Sequence, residues 1–353
     1  MKKIITIFIA TLLLSLTSIF IVQQPAAASG SSNVKINYEK DGRVKGLENP
    51  EKMSEKSLNM VLQKIGLKEE SINSLSKSEK EGIVKRGGKA IDIQVKSAKT
   101  YYVSLDGSRT EYTESNNKKI NEKKLADLKK YNEITGNSKS ILELNTANSL
   151  VQDKSKDLIT VNSSSTGEIP PIKTEPNGDL ELMLQVLYLG PWDGQMNYKY
   201  ISTATWNEKP FNTKTDAFGT AFDVNAVAKA DSFQASWLQT QPVSDGNGGT
   251  TYITESKQLS PDPNAFEQYG HGVKIPLGDG SYQNISMSRE VLVSTSNIGE
   301  PAYILTKYHH TYGTLSGIGI SIGPASVTFE GTWGDDTILE YNYTYGDVNP
   351  WDL

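Results

Sequence analysis

The sequence predicts an α+β protein: a small N-terminal helical and hairpin lobe followed by a larger antiparallel β-sandwich-like domain. Three observations carry this expectation. Apolar residues recur at helical spacing from Ser54 to Gly66, then at a period of two after Gly87-Gly88. A stretch rich in Ser, Thr, Pro and Gly at 161–179 has the composition of a linker. Beyond it, many short alternating runs are divided by turn clusters with no helix between them, the pattern of a sandwich or barrel. The predicted organisation is a signal peptide at 1–28, an extended arm at 29–52, a basic lobe at 53–160, the linker at 161–179 and an acidic β domain at 180–353.

The N-terminus has the layout of an export signal. Met1-Lys2-Lys3 is basic, residues 4–22 are apolar or Thr and Ser, and Pro25-Ala26-Ala27-Ala28 ends in a small-x-small site, so cleavage is expected after Ala28. The apolar run nears the length of about 20 residues that spans a bilayer, and the alanine site decides for a signal. No second run of that length follows, so no transmembrane segment is expected in the mature chain. The 353 residues contain no cysteine, which excludes disulfides, thiolate metal sites, thiol nucleophiles and a lipobox. Export without disulfides fits a Gram-positive secretome. The expected location is secreted, extracellular or loosely wall-associated.

The formal charge of −5 hides a division. Residues 31–160 carry 25 Lys/Arg against 19 Asp/Glu, and residues 161–353 carry 9 against 22. This asymmetry predicts two folding units with different electrostatic neighbours.

In chain order, Ser54 reads as an N-cap, Leu58, Val61, Leu62 and Ile65 as a buried stripe, and Gly66 as the helix stop. Short helices are expected at 68–75 and from Ser76 or Ser78 to Gly87, packed as a cluster because none is long enough alone. Residues 90–95 alternate, and 101–112 form a hairpin turning at Asp106-Gly107. A charged helix is expected at 121–131. Leu180 opens two long strands joined by Gly190-Pro191-Trp192-Asp193-Gly194. Later strands are expected at 217–224, 232–238, 251–255, 271–275, 282–287, 290–296, 302–312, 317–322, 325–330 and 337–345, with Gly334-Asp335-Asp336 among the turns.

A Leu/Ile-patterned helical unit ending in Gly-Gly-Lys (residues 53–89) precedes a β domain with a Trp-containing strand, the segment Asp216-Ala217-Phe218-Gly219 and a late Tyr308-His309 strand. In this the chain resembles uncharacterised exported two-domain proteins of Gram-positive spore-forming bacteria. The resemblance implies two domains and assigns no catalytic residue.

The chemistry-bearing patterns are sparse. Gly319-Ile320-Ser321-Ile322-Gly323 matches the nucleophile-elbow spacing, but its flanks are strand-like and all three histidines precede the serine, so the glycines mark a kinked or closely packed strand. His309 and His310 are adjacent and face opposite sides of a strand; one is expected to be half-buried, and His271 to be exposed in a turn. No catalytic residue is assigned. Asp245, Asn247, Asp335 and Asp336 offer oxygen ligands in expected loops for a possible Ca²⁺, without an EF-hand pattern. Trp192 and Trp333, flanked by glycines, are the candidate ligand-binding aromatics.

These features point to an exported, non-catalytic binding or interaction protein at the cell envelope, with a cell-wall polymer, a glycan or another extracellular protein as partner and no nucleic acid. Two alternatives stand beside it. One is a secreted hydrolase using carboxylates of the β domain. The other is a membrane-active β-protein, for which residues 313–330 are the nearest match to an amphipathic hairpin.

Overall fold

The computed structural model describes residues 34–136, 172–173, 180–210, 214–244, 246 and 249–346. The expected signal peptide, residues 137–160 and most of the expected linker lie outside these, as do Asp245 and Asn247. The described residues from Ile36 onward form one compact unit.

Two local signals from the sequence are met directly. Helix α1 (Glu55–Ile65) starts where Ser57 N–H donates to Ser54 Oγ and stops at Gly66, whose φ of 101° suits glycine. Helix α2 (Glu69–Ser74) follows, then α3 (Lys77–Arg86), opened by a reciprocal capping box between Ser76 and Glu79. The buried Glu79 carboxylate also accepts from Ser236 and Ser286 hydroxyls at 3.1 and 3.4 Å, which ties the helical cap to the sheet beneath. Helix α4 (Asn117–Thr135) is longer than the expected 121–131.

The strands form two antiparallel sheets. In order they are β1 (Val44–Lys45), β2 (Gly87–Ile91), β3 (Gln94–Val103), β4 (Arg109–Glu111), β5 (Ile172–Lys173), β6 (Leu180–Trp192), β7 (Gln195–Trp206) and β8 (Thr215–Phe222). They continue as β9 (Ala226–Ala228), β10 (Gln234–Ser244), β11 (Thr250–Gln258), β12 (Phe266–Glu267), β13 (Gly270–Pro276), β14 (Tyr282–Ser294), β15 (Pro301–Gly323) and β16 (Ser326–Thr344). The first sheet runs β1-β2-β6-β7-β14-β10-β11, with β5 beside β6 and β9 beside β14; the second runs β12-β13-β8-β15-β16-β3-β4.

The alternation noted in the sequence places Tyr198, Tyr200, Phe218, Phe222, Tyr308, Tyr341 and Tyr343 in one core between the sheets. Tyr200 and Tyr343 share a 2.8 Å hydroxyl contact across it, and Trp206 Nε1 donates to Tyr308 Oη at 3.0 Å. These buried polar tips are thus satisfied by one another. The helices α1–α3 lie on the outer side of the first sheet, where Ser71 of α2 meets Met183 of β6. Helix α4 packs on the second sheet through Ile120, Leu128 and Tyr131 against Tyr102, Tyr312 and Trp333.

The division into a basic lobe at 53–160 and a separate acidic domain at 180–353 is corrected by this topology. Strand β2 pairs with β6 and β3 pairs with β16, so the N-terminal residues complete both sheets. The opposite charges of the two halves meet inside one body. Lys124 donates to Asp335 at 2.9 Å, Arg109 reaches Asp336 at 3.2 Å and Arg86 reaches Glu290 at 3.6 Å.

Several short expected strands fuse. The expected turn at Gly334-Asp335-Asp336 lies inside β16, because both carboxylates have buried partners that offset the poor strand propensity of Asp. Asp335 accepts from Lys124, from Tyr112 at 2.7 Å and from Tyr312. Replacing Lys124 by Met leaves that buried carboxylate without a counter-charge. A loss of about 3–5 kcal/mol in denaturant-unfolding free energy is expected, much of it recovered when Asp335→Asn is added.

Candidate functional site

The feature that departs most from a simple sandwich is the far end of the β15–β16 hairpin. The two strands pair regularly up to Thr311 and Gly334, and the register then shifts twice. Between the pairs Thr314/Thr332 and Gly319/Glu330, residues 315–318 oppose the single Gly331, whose φ is 75°. An unequal insertion of this kind bends a ribbon, and the glycine provides the left-handed backbone the bend needs. The tip then doubles back along its own sheet: Ala325 N–H donates to Phe222 O at 2.9 Å, and Phe222 is the register partner of Ile304, well before the bend.

The doubled-back segment, here the strap, is amphipathic by pairing. Ile320 opposes Phe329 and Ile322 opposes Val327, while Ser321 opposes Thr328 and Gly319 opposes Glu330. The first set faces the protein; Ile320, Ile322 and Val327 are buried and Phe329 is half-buried. Gly319, Ser321, Ser326, Thr328 and Glu330 face water.

What receives the apolar side is a trough of small residues on the outer face of β8 and β13. Ala217, Ala221 and Ala265 cluster with the three buried strap residues. A Cβ on Gly219 would lie 2.8 Å from Val327 Cγ1, and one on Gly272 would lie 3.1 Å from Ile320 Cγ2. The glycines at 219 and 272 are therefore space for the strap. In the sequence they resemble ordinary loop or strand-weakening glycines.

Beneath Phe329 lies a buried charge cluster. The ring sits 5.9 Å from His309 and under the Lys307 ammonium at 4.7 Å. Asp336 accepts from His309 Nδ1 at 2.7 Å and pairs with Lys307 at 2.9 Å. Burial pushes the Asp336 carboxyl up, but its bond to His309 and the Lys307 charge outweigh that and hold it at about 2. On the opposite face His310 Nδ1 meets Asp216 Oδ2 at 2.9 Å, so the two histidines face apart as expected, yet both are buried.

The remaining sequence candidates resolve as follows. Trp333, the second candidate ligand-binding aromatic, is buried in β16 against Tyr131 and Tyr312 and presents no ring to a ligand. Asp335 and Asp336 are successive strand residues on opposite faces, each matched by protein cations, so they present no shared oxygen site to an ion. Among the described residues no three His, Asp or Glu gather to hold a metal. Ser321 lies on the solvent side of the strap, in a strand and without a turn. Trp192 stands where expected, 43% exposed at the β6 end, with Lys229 at 3.7 Å and Arg86 at 4.9 Å from its ring.

His271 corrects an expectation of exposure. It is fully buried in β13, between the two trough glycines Gly270 and Gly272, with its ring on Phe233 at 5.3 Å. Among the described residues neither ring nitrogen has a hydrogen-bond partner.

No family model matches the chain, and no curated protein matches it. Among solved structures, the NetB toxin of Clostridium perfringens in its membrane-inserted form overlaps 48% of this chain and 91% of its own at 6% identity and a TM-score of 0.22. A structure described as a pore forming protein overlaps 48% and 89% at 6% identity and a TM-score of 0.24. A collagen-binding domain from a Staphylococcus aureus adhesin overlaps 40% and 86% at 11% identity and a TM-score of 0.21. Scores this low transfer nothing. No helix among the described residues is long and apolar enough to cross a membrane.

Burial and the nearby charges of Arg289 and Lys199 push His271 down to about 3. The folded protein therefore keeps it neutral where an unfolded chain, with an ordinary value of about 6.5, would bind a proton. Stability from this group is full above that value and drains as pH falls from about 6.5 towards 3. Between pH 7 and pH 5 it should cost about 2 kcal/mol, measured by urea unfolding, and His271→Phe should flatten that part of the profile.

Proposed function

We propose that this chain is an exported, membrane-active β-protein whose strap leaves the trough and enters a lipid bilayer. The observation that carries this reading is a hairpin tip in which Ile320, Ile322, Val327 and Phe329 alternate with Gly319, Ser321, Thr328 and Glu330, docked through its apolar side on a surface rich in Gly and Ala. Such an alternation is what a transmembrane β-strand requires, with one side to lipid and the other to water.

The energetics are compatible with release. Burial of Ile320, Ile322 and Val327 contributes about 1.5–3 kcal/mol each, and lipid removes the same side chains from water again. The strap's own ladder, from Gly319/Glu330 to Gly323/Ser326, travels with it, so no backbone pairing within the ribbon is lost. The hydrogen bond from Ala325 to Phe222 is surrendered.

Length is close to what is needed. Straightened at the bend, the ribbon offers eleven residues from Gly313 to Gly323, within the about 9–11 of a tilted membrane strand, and eight from Ser326 to Trp333, one residue short of it. Within these arms Glu330 is the one charged residue, and Trp333 at the base is of the type favoured at membrane interfaces. A lone hairpin leaves unpaired edges in lipid, so insertion requires several copies to close a barrel.

Because the chain contains no cysteine, the strap can be locked by a unique engineered disulfide. Gly219→Cys with Val327→Cys should join the trough to the strap. In dye-loaded liposomes the oxidised double variant is expected to give no leakage and the reduced form to match the unmodified protein. Equal leakage from oxidised and reduced forms would sink the reading, as would an unmodified protein that never releases dye.

A further inference from the structure

On the other side of the sandwich a second feature is unaccounted for by the strap. Strand β7 turns Lys199 to the outer side of the first sheet, opposite to the core residues Tyr198 and Tyr200. There it is 5% exposed, and its Nζ has a hydrogen bond of 3.1 Å to the neutral Gln234 Oε1. The Lys199 ammonium borders a cavity of about 270 Å³ between α3 and the sheet, which Lys85, Arg86, Ser232, Gln234 and Glu290 also line.

The charges around this cavity do not cancel. Glu290 is already engaged by Lys229 at 2.7 Å, by Asn197 at 2.9 Å and by Arg86 at 3.6 Å. Glu79 attracts Lys199 through space, but its oxygens are taken by Ser76, Ser236 and Ser286. Asp231 lies on the wall as the remaining acid against Lys85, Arg86 and Lys199. A buried ammonium with one neutral partner is costly unless a counter-charge arrives. Consistent with this, burial pulls Lys199 below the usual lysine range, with Glu79 and Glu290 restoring only part of it.

Against the wall residue Arg86 stands Trp192, the exposed aromatic that the sequence singles out. Arg86 and Lys229 stack on its ring. We propose that this cavity binds a phosphate-type oxyanion, held by Lys199 and Arg86, with Trp192 covering the remainder of the ligand. Arginine presents a planar donor fork and lysine a point charge, the pair commonly used on tetrahedral oxyanions. The site lies on the sheet opposite the strap, so it is independent of membrane insertion and can succeed or fail separately from it.

The test is titration of the purified protein with inorganic phosphate at low ionic strength, followed by calorimetry and by ³¹P line broadening. Saturable one-site binding is expected, weakened at least about tenfold in Lys199→Met and measurably in Arg86→Gln. Lys199→Met keeps the chain length and removes a buried charge, so its melting temperature should not fall. Competition then identifies the source of the group. Displacement of phosphate by phosphatidylglycerol vesicles, but not by phosphatidylcholine vesicles, assigns a lipid headgroup, and no displacement by either assigns a soluble phosphorylated ligand. Absence of phosphate binding, or equal binding by Lys199→Met and the unmodified protein, overturns the site. Both results are read without reference to dye leakage.

Discussion

The pairing of buried carboxylates with buried lysines and histidines at one level of the β15–β16 ladder is the constraint on which the rest of the molecule depends. Asp216 holds His310 on the inner face, Asp336 holds His309 and Lys307 on the outer face, and Asp335 holds Lys124 of α4. Each acid sits in a strand where it would otherwise be unfavourable, and each is bonded to a specific partner. Removing one partner leaves a charge stranded in the interior, which costs far more than an exposed pair is worth. The cluster therefore fixes the register of the long ladder just before it bends.

Above that fixed level the same two strands change role. Below the bend their inward residues are Tyr308, Leu339 and Tyr341, in the core between the sheets. Beyond it they carry Ile320, Ile322, Val327 and Phe329, which rest on the outside of the sheet that the ribbon has just left. The bend itself is built from unequal strand lengths and the left-handed Gly331. A rigid base and a lightly docked end are joined in one covalent ribbon. That combination lets a segment detach without unfolding what anchors it.

The two surfaces proposed to act are separated by the whole sandwich. The strap covers the second sheet, and the Lys199 cavity lies under α3 on the first. The residues that receive the strap and those that line the cavity have no member in common, so each site can be altered without touching the other. The helices α1–α3 then have a role beyond covering apolar strands. Glu79 of α3 caps its own helix and anchors it to Ser236 and Ser286, and the end of that helix supplies Lys85 and Arg86 to the cavity wall.

The sequence by itself determined what depends on neighbours in the chain. Helix caps at Ser54, Gly66 and Ser76, the turn at Asp106-Gly107, the β6–β7 pair with Trp192 at its end and the alternation of the strap all follow from local backbone and pleat rules. The tertiary structure decided what depends on distant partners. It placed Asp335 and Asp336 inside a strand, buried Trp333 and His271, and merged an apparent N-terminal domain into both sheets. In each case a contact made with a residue distant in the chain, such as Lys124 with Asp335 or β3 with β16, outweighed a local propensity worth about 1 kcal/mol. The trough shows the same division: Gly219, Gly270 and Gly272 can be read in the sequence, but that they make room for a strap from residues 320–327 is decided only by which surfaces meet.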